Sequence, residues 1–126
     1  MATTEDLASG ALEVLTPEEV QRGIANRSIL LIDVRTPVEY AWEHVHGALL
    51  MPMAGFDPAA LPTDTDRQIV FHCGSGTRSK IVAEKCLEAG WPTVTHMDGG
   101  MAGWKKARLP YVATDPASGA PKRVGD

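Results

Sequence analysis

Reactive chemistry is concentrated in one run, Cys73-Gly74-Ser75-Gly76-Thr77-Arg78, with Ser79 following. A cysteine thiolate is a strong nucleophile at neutral pH once its surroundings lower the thiol pKa. A curled stretch of backbone N–H groups leading into a helix does this, because both features favour an anion. Gly74 and Gly76 lack a Cβ, so the backbone can turn tightly and bring its donors close to bound negative charge. Ser75 and Thr77 add hydroxyl donors, and Arg78 adds a planar fork suited to sulfonate, phosphate or carboxylate. The plainer alternative is a strand-to-helix turn around a buried cysteine. Two glycines, two hydroxyls and an arginine in one loop favour a site for a small anion.

Such a loop needs rigid elements on both sides. Gln68 to His72 reads as a central strand leading into it. After it, Ile81, Val82, Lys85, Cys86 and Ala89 form a mostly apolar helical face that stops before Gly90. Upstream, Thr16-Pro17-Glu18-Glu19 is a capping box with Pro at the first helical position, and Leu15 and Val20 are spaced for a hydrophobic staple. It predicts a helix over 17–26. Ser28 to Val34 is a continuously apolar run, suited to a strand buried on both faces. Thr36-Pro37-Val38-Glu39 repeats the capping box and opens a short helix. Ala48 to Met51 reads as a strand, Pro58 to Leu61 as a helical turn, Thr93 to Met97 as a strand and Met101 to Ala107 as a last short helix. Alternation of this kind predicts an α/β fold, a parallel sheet with helices on both faces. Ligands of open parallel sheets bind beyond the carboxyl ends of the strands, which is where Cys73 falls.

At 126 residues the chain has the length of one domain, and roughly two thirds of its surface can be buried. The folded unit is expected over 11–112. Residues 1–10 are expected to be a flexible N-terminus, and the Pro-, Gly- and Ser-containing stretch 113–126 a loosely ordered tail. The net charge of −4 gives no electrostatic footprint for nucleic acid. Residues 1–66 hold 3 basic and 11 acidic groups, whereas 67–126 hold 9 basic and 5 acidic ones, so an anion site fits the second half better. Uneven surface charge is the plainer reading of that asymmetry. No stretch approaches the ~20 apolar residues of a membrane span, and no basic start marks a secretory signal, so no membrane partner and a cytoplasmic location are expected.

With the loop, two further stretches make the chain resemble the rhodanese-like sulfurtransferases in their single-domain form. Cys73, Gly76 and Arg78 fit that family's C-x-x-G-x-R pattern. Asp33-Val34-Arg35-Thr36-Pro37-Val38-Glu39-Tyr40, continuing to His44-Val45-His46-Gly47-Ala48, looks like its N-terminal signature, and Gly99-Gly100-Met101-Ala102-Gly103-Trp104 resembles its G-G-x-x-x-W box. Glu43 stands where Gly usually precedes the histidine, and Arg108 where Gly usually follows the last helix. The resemblance implies a sheet of about five parallel strands and a two-step sulfur transfer. Cys73 would take the outer sulfur of a small anionic donor such as thiosulfate as a persulfide. A thiol, or cyanide in assays, would then accept it, and no cofactor is required. Gly74, Ser75, Gly76, Thr77 and Arg78 would bind the donor.

Two rival readings have the same loop. His72-Cys73 to Arg78-Ser79 is similar to the H-C-x5-R-S loop of cysteine phosphatases and arsenate reductases, but Cys73 and Arg78 enclose four residues, one fewer. A persulfide carrier or protein-binding module without rapid turnover is the other. Around the loop, Asp33 and Arg35 follow a strand end, as a structural ion pair supporting the loop, with Asp33 a possible acceptor for loop N–H groups. Strand alternation turns His72 away from the nucleophile. His44 and His46 at i, i+2 have no third ligand, so no metal is expected. Trp42, Trp91 and Trp104 read as packing residues. Cys86 lies about 15 Å along the helix, beyond the roughly 7 Å that a disulfide to Cys73 allows, and reads as a core residue.

Overall fold

The computed structural model describes residues 2–7 and 10–125. Residues 1, 8 and 9 of the N-terminal stretch, and residue 126 of the tail, lie outside the described residues. In chain order the elements are β1 (Thr3–Leu7), β2 (Gly10–Leu15), α1 (Pro17–Ala25), β3 (Ile29–Asp33), α2 (Pro37–Trp42), β4 (Glu43–His44), β5 (Leu49–Leu50), a 3₁₀ turn (Pro58–Ala60), β6 (Gln68–His72), α3 (Thr77–Glu88), β7 (Thr93–Met97), α4 (Gly100–Lys106), β8 (Tyr111–Thr114) and β9 (Pro121–Val124).

Both capping boxes form. Thr16 Oγ1 accepts the Glu19 N–H at 3.2 Å while Glu19 Oε1 accepts the Thr16 N–H at 2.9 Å. Thr36 and Glu39 repeat the exchange at 3.3 and 3.1 Å. Each box satisfies N–H groups that the first helical turn leaves without partners.

The main sheet has the order β1-β2-β7-β6-β3-β5, in which β2, β7, β6, β3 and β5 run parallel and β1 is added antiparallel at the edge. The five parallel strands match the expected sheet. The sequence assigns no strand to β2 because Glu13 interrupts its apolar run, although Leu12 and Leu15 are buried. From β3 the chain crosses outward to β5, whereas from β6 it crosses the other way to β7. The crevice between the carboxyl ends of β3 and β6 is therefore the topological switch point, where a twisted parallel sheet leaves room for a ligand.

Side chains alternate across the sheet into two cores. Leu12, Ile32, Phe71 and Val94 meet Val82, Ala83, Cys86 and Leu87 of α3 on one face. Leu15, Leu31, Val70 and Met97 meet Val20 of α1 and Met101 and Trp104 of α4 on the other. Burying a side chain as large as Phe71 contributes about 2 kcal/mol, and its ring meets Phe56 edge-on at 5.8 Å.

The two ends differ from the loose segments expected: they are hydrogen-bonded strands with exposed side chains. Thr3 to Leu7 pair with Gly10 to Val14, and Pro121 to Val124 pair with Tyr111 to Thr114. Backbone pairing needs no apolar composition, which is why composition did not signal it. β4, β8 and β9 form a second, antiparallel sheet. Trp104 is buried and its Nε1 donates to the Pro110 carbonyl at 2.9 Å, whereas Trp42 is not a packing residue but 57% exposed. Arg108, standing where the family usually has Gly, takes the left-handed conformation at φ 60.

Candidate active site

β6 ends at His72, and Cys73 opens the loop at the switch point. Alternation turns Phe71 and Cys73 to the α3 face, while Val70 and His72 face the α1 and α4 side. Cys73 is only 1% exposed, so its sulfur sits beneath the loop rather than on it. Burial alone would keep a thiol protonated. Here Sγ accepts the Gly76 N–H at 3.1 Å and lies 3.7 Å from the Ser79 hydroxyl. Gly76 caps α3 in the left-handed region at φ 113, which curls the chain so that the first N–H groups of α3, lacking helical acceptors, turn toward the sulfur. Burial raises the Cys73 pKa, but the backbone N–H groups of Ser79, Ser75 and Gly76 and the Ser79 hydroxyl outweigh it, leaving the thiol below its ordinary value.

The Ser75 N–H faces inward because the carbonyl of its own peptide, that of Gly74, is engaged from outside, as is the Cys73 carbonyl before it. At the start of α4, the Met101 N–H donates to the Cys73 carbonyl at 2.7 Å and the Ala102 N–H to the Gly74 carbonyl at 3.0 Å. Gly100 makes that approach possible. A Cβ on it would stand 2.4 Å from the Cys73 carbonyl oxygen and 2.7 Å from the Ser75 nitrogen, and its φ is 57. Two helix N-termini thus meet the loop, α3 acting on the sulfur and α4 on the carbonyls.

Arg78, expected to bind the donor, is paired with a carboxylate. Its Nη1 and Nη2 donate to Glu39 Oε1 and Oε2 at 2.7 and 2.9 Å. The guanidinium lies over the rim of the loop, where a Cβ on Gly74 would come within 3.0 Å of Nη2. The hydrogen bonds from Arg78 hold the Glu39 carboxyl at about 2, against burial and with help from Thr36. Glu39 therefore both caps α2 and pins the loop arginine. Ser75 and Thr77 are exposed at the loop's outer edge.

Asp33 accepts the Arg35 backbone N–H at 3.0 Å and a bidentate bond from the Arg35 guanidinium, which also donates to the Glu43 carbonyl at 2.7 Å. The lone pairs of Asp33 are taken by Arg35 rather than by the loop N–H groups expected, and the β3–β6 register sets it opposite His72, whose Nε2 is 3.4 Å away. Burial lowers the His72 pKa, with Asp33 opposing. The pair fixes the end of β3, and the Val34 N–H in turn binds the His72 carbonyl at 3.0 Å. Support of the loop is thus indirect, through the strand that carries it.

Four residues complete the site without a signal in the loop itself. Glu39 and Gly100 stand in the family-like signatures, though nothing local gives their partners. Ser79 is fully buried and bonded to His96 Nδ1 at 2.8 Å, and His96, on β7, is 7% exposed. Only the alternation of β7 could have pointed His96 to this face.

The family model described as Rhodanese-like domain matches residues 16–107. MoeZ of Mycobacterium tuberculosis, named a probable adenylyltransferase/sulfurtransferase, is 35% identical over an alignment of 112 residues that covers 84% of this chain and 28% of MoeZ. The chain thus spans just over a quarter of that relative. GlpE of Haemophilus influenzae, named a thiosulfate sulfurtransferase, is 30% identical over 100 residues, which are 79% of this chain and 94% of GlpE. The solved structure of a thiosulfate sulfurtransferase from Pseudomonas aeruginosa is similar with a TM-score of 0.69 at 28% identity, covering 78% of this chain and 19% of that one. Since the matched stretch runs from the cap of α1 to the end of α4 and takes in the whole loop, this chain belongs to the rhodanese-like domain family.

Proposed function

We propose that the protein is a sulfurtransferase that moves the outer sulfur of thiosulfate, or a similar small anionic donor, through a persulfide on Cys73 to a thiol acceptor. The observation that carries this reading is a buried thiol whose sulfur is met by inward-turned backbone N–H groups. In the first step the Cys73 thiolate attacks the donor's outer sulfur. The new Sγ–S bond forms as the donor's S–S bond breaks, and its electron pair leaves with sulfite. The N–H groups that held the thiolate then hold the outer sulfur. In the second step an acceptor thiolate, or cyanide, takes that sulfur, and the pair of the Sγ–S bond returns to Cys73. Gly74, Ser75, Gly76 and Thr77 line the approach, and Arg78 contributes positive charge at the rim.

Depth and spacing both favour sulfur over a phosphate ester. The outer sulfur of thiosulfate is a terminal atom able to enter a narrow loop, whereas a phosphorus centre is shielded by its oxygens. A nucleophile that must stay reduced suits a cytoplasmic location.

The test is incubation with thiosulfate followed by intact mass, compared with Cys73→Ser, alongside turnover of thiosulfate, mercaptopyruvate and para-nitrophenyl phosphate. One added sulfur atom on the natural protein, removed by cyanide or dithiothreitol and lacking in Cys73→Ser, is expected together with thiocyanate production. Turnover of the phosphate ester alone overturns the reading. An adduct without turnover would reduce it to a persulfide carrier, and neither adduct nor turnover to a binding module.

A further inference from the structure

We propose that His96 is a positioning residue for Cys73, donating its Nδ1–H to the Ser79 hydroxyl oxygen and thereby turning the hydroxyl proton toward the sulfur. The proposal rests on the reading of Cys73 as a reactive thiolate and adds a control on it from outside the loop. Ser79 Oγ has one proton and three neighbours: the Gly76 carbonyl at 3.2 Å, His96 Nδ1 at 2.8 Å and Cys73 Sγ at 3.7 Å. The carbonyl accepts only, as does a thiolate, whereas Nδ1 either accepts or donates.

If Nδ1 accepts, it draws the hydroxyl proton at the shortest of the three distances. Ser79 then offers the sulfur only lone pairs, which favours the protonated thiol. If Nδ1–H donates, a lone pair of Oγ is filled from the β7 side and the hydroxyl proton is released to Sγ or to the Gly76 carbonyl. A bond to the charged sulfur is the stronger of those two. The donating tautomer therefore stabilises the thiolate.

The surroundings of His96 are compatible with the neutral ring. Burial lowers its pKa, Asp98 after its own strand and Glu5 on β1 oppose this, and Lys80 on α3 assists it. Lys80 and Glu5 are already paired with each other at 2.9 Å. Protonation of the ring at lower pH keeps Nδ1–H in place, so the donation persists there.

The experiment measures the apparent pKa of Cys73 from the pH dependence of iodoacetamide alkylation, read by intact mass with no sulfur donor present. Its outcome is thus independent of whether thiosulfate is a substrate. His96→Leu removes the donor, His96→Asn restores one at the position of Nδ1, and Ser79→Ala removes the hydroxyl. His96→Leu and Ser79→Ala should each raise the apparent pKa by about one unit, or about tenfold slower alkylation at a fixed pH below it. The double variant should show no shift beyond Ser79→Ala, and His96→Asn should remain near the natural protein. An unshifted His96→Leu, an equal further shift in the Ser79→Ala background, or a His96→Asn that behaves like His96→Leu overturns the proposal. Should His96→Leu fail to fold, His96→Asn and Ser79→Ala decide by the same readout: a shift in the first or none in the second is refuting.

Discussion

Gly100→Ala tests whether α4 sets the direction of the loop. The added Cβ would stand 2.4 Å from the Cys73 carbonyl oxygen and 2.6 Å from the Gly74 carbonyl carbon, both backbone atoms that cannot swing away. Restoring ordinary contact requires moving the start of α4 by about 1 Å. That carries the Met101 and Ala102 N–H groups, now 2.7 and 3.0 Å from their acceptors, beyond hydrogen-bonding range. Two neutral hydrogen bonds at about 1 kcal/mol each, with about 1 kcal/mol for a side chain at φ 57, total about 3 kcal/mol. Thermal melting followed by circular dichroism should show a fall of roughly 10 °C. The Cys73 carbonyl keeps His72 Nδ1 at 3.2 Å, but the Gly74 carbonyl released from α4 lets the Gly74–Ser75 peptide rotate, so the Cys73 pKa should rise by about one unit through loss of the Ser75 N–H bond, read by the pH dependence of alkylation. Gly90→Ala is the control: φ is 107 there, but nothing lies within 4 Å of the added Cβ, so it carries conformational strain without a clash. A Gly100→Ala protein that melts with Gly90→Ala and keeps its thiol pKa refutes the argument that α4 orients the loop.

Glu39→Gln removes the counter-charge of Arg78 while keeping the side chain's size. The KM for thiosulfate should fall roughly three- to fivefold at low salt, with kcat little changed and the gain lost as salt is added; an unchanged KM would mean that the guanidinium does not face the donor. The same variant tests the acid limb of stability. The Glu39 carboxyl is held at about 2 against an ordinary 4.5, so its stabilisation is complete above pH 4.5 and lost as pH falls toward 2. In an acid titration followed by circular dichroism, Glu39→Gln should lack that component. The two cysteines should differ sharply under native alkylation: burial pushes Cys86 up to about 11 with nothing opposing it, whereas the loop donors hold Cys73 down. Peptide mapping should find Cys73 labelled first at pH 7, and faster labelling of Cys86 would reverse the assignment.

The elements that carry the loop were legible because each has a local cause. Thr16 and Thr36 with glutamates three residues on are capping boxes whatever surrounds them, and the apolar runs at 29–33 and 68–72 have only the interior of a sheet to go to. β2 and the exposed end strands were less visible, since backbone pairing at an edge leaves side chains free to be polar. Within the site, Cys73 to Arg78 is readable because its residues are consecutive. The partners are not: Glu39 and Arg78 are 39 positions apart, and Ser79 and His96 17, brought together by crossover connections. The arginine shows what this costs the sequence argument. Its type and spacing suit an anion, but whether the fork is open or filled depends on a carboxylate one helix away.

Direction is the property hardest to read from residue types. A loop of Gly-Ser-Gly-Thr has as many carbonyls as N–H groups and, taken alone, could turn either set toward the cysteine. What decides is where the other set finds partners. In this chain α4 presents two N–H groups to the carbonyls of Cys73 and Gly74, and α3 leaves its first-turn donors for the sulfur. The electrostatic character of the site is therefore determined by two helix starts and the missing side chain of Gly100 that lets them close on one loop. A cysteine in the same loop without that second helix would keep the donors of α3 but lose what holds the Gly74–Ser75 peptide with its N–H toward the sulfur.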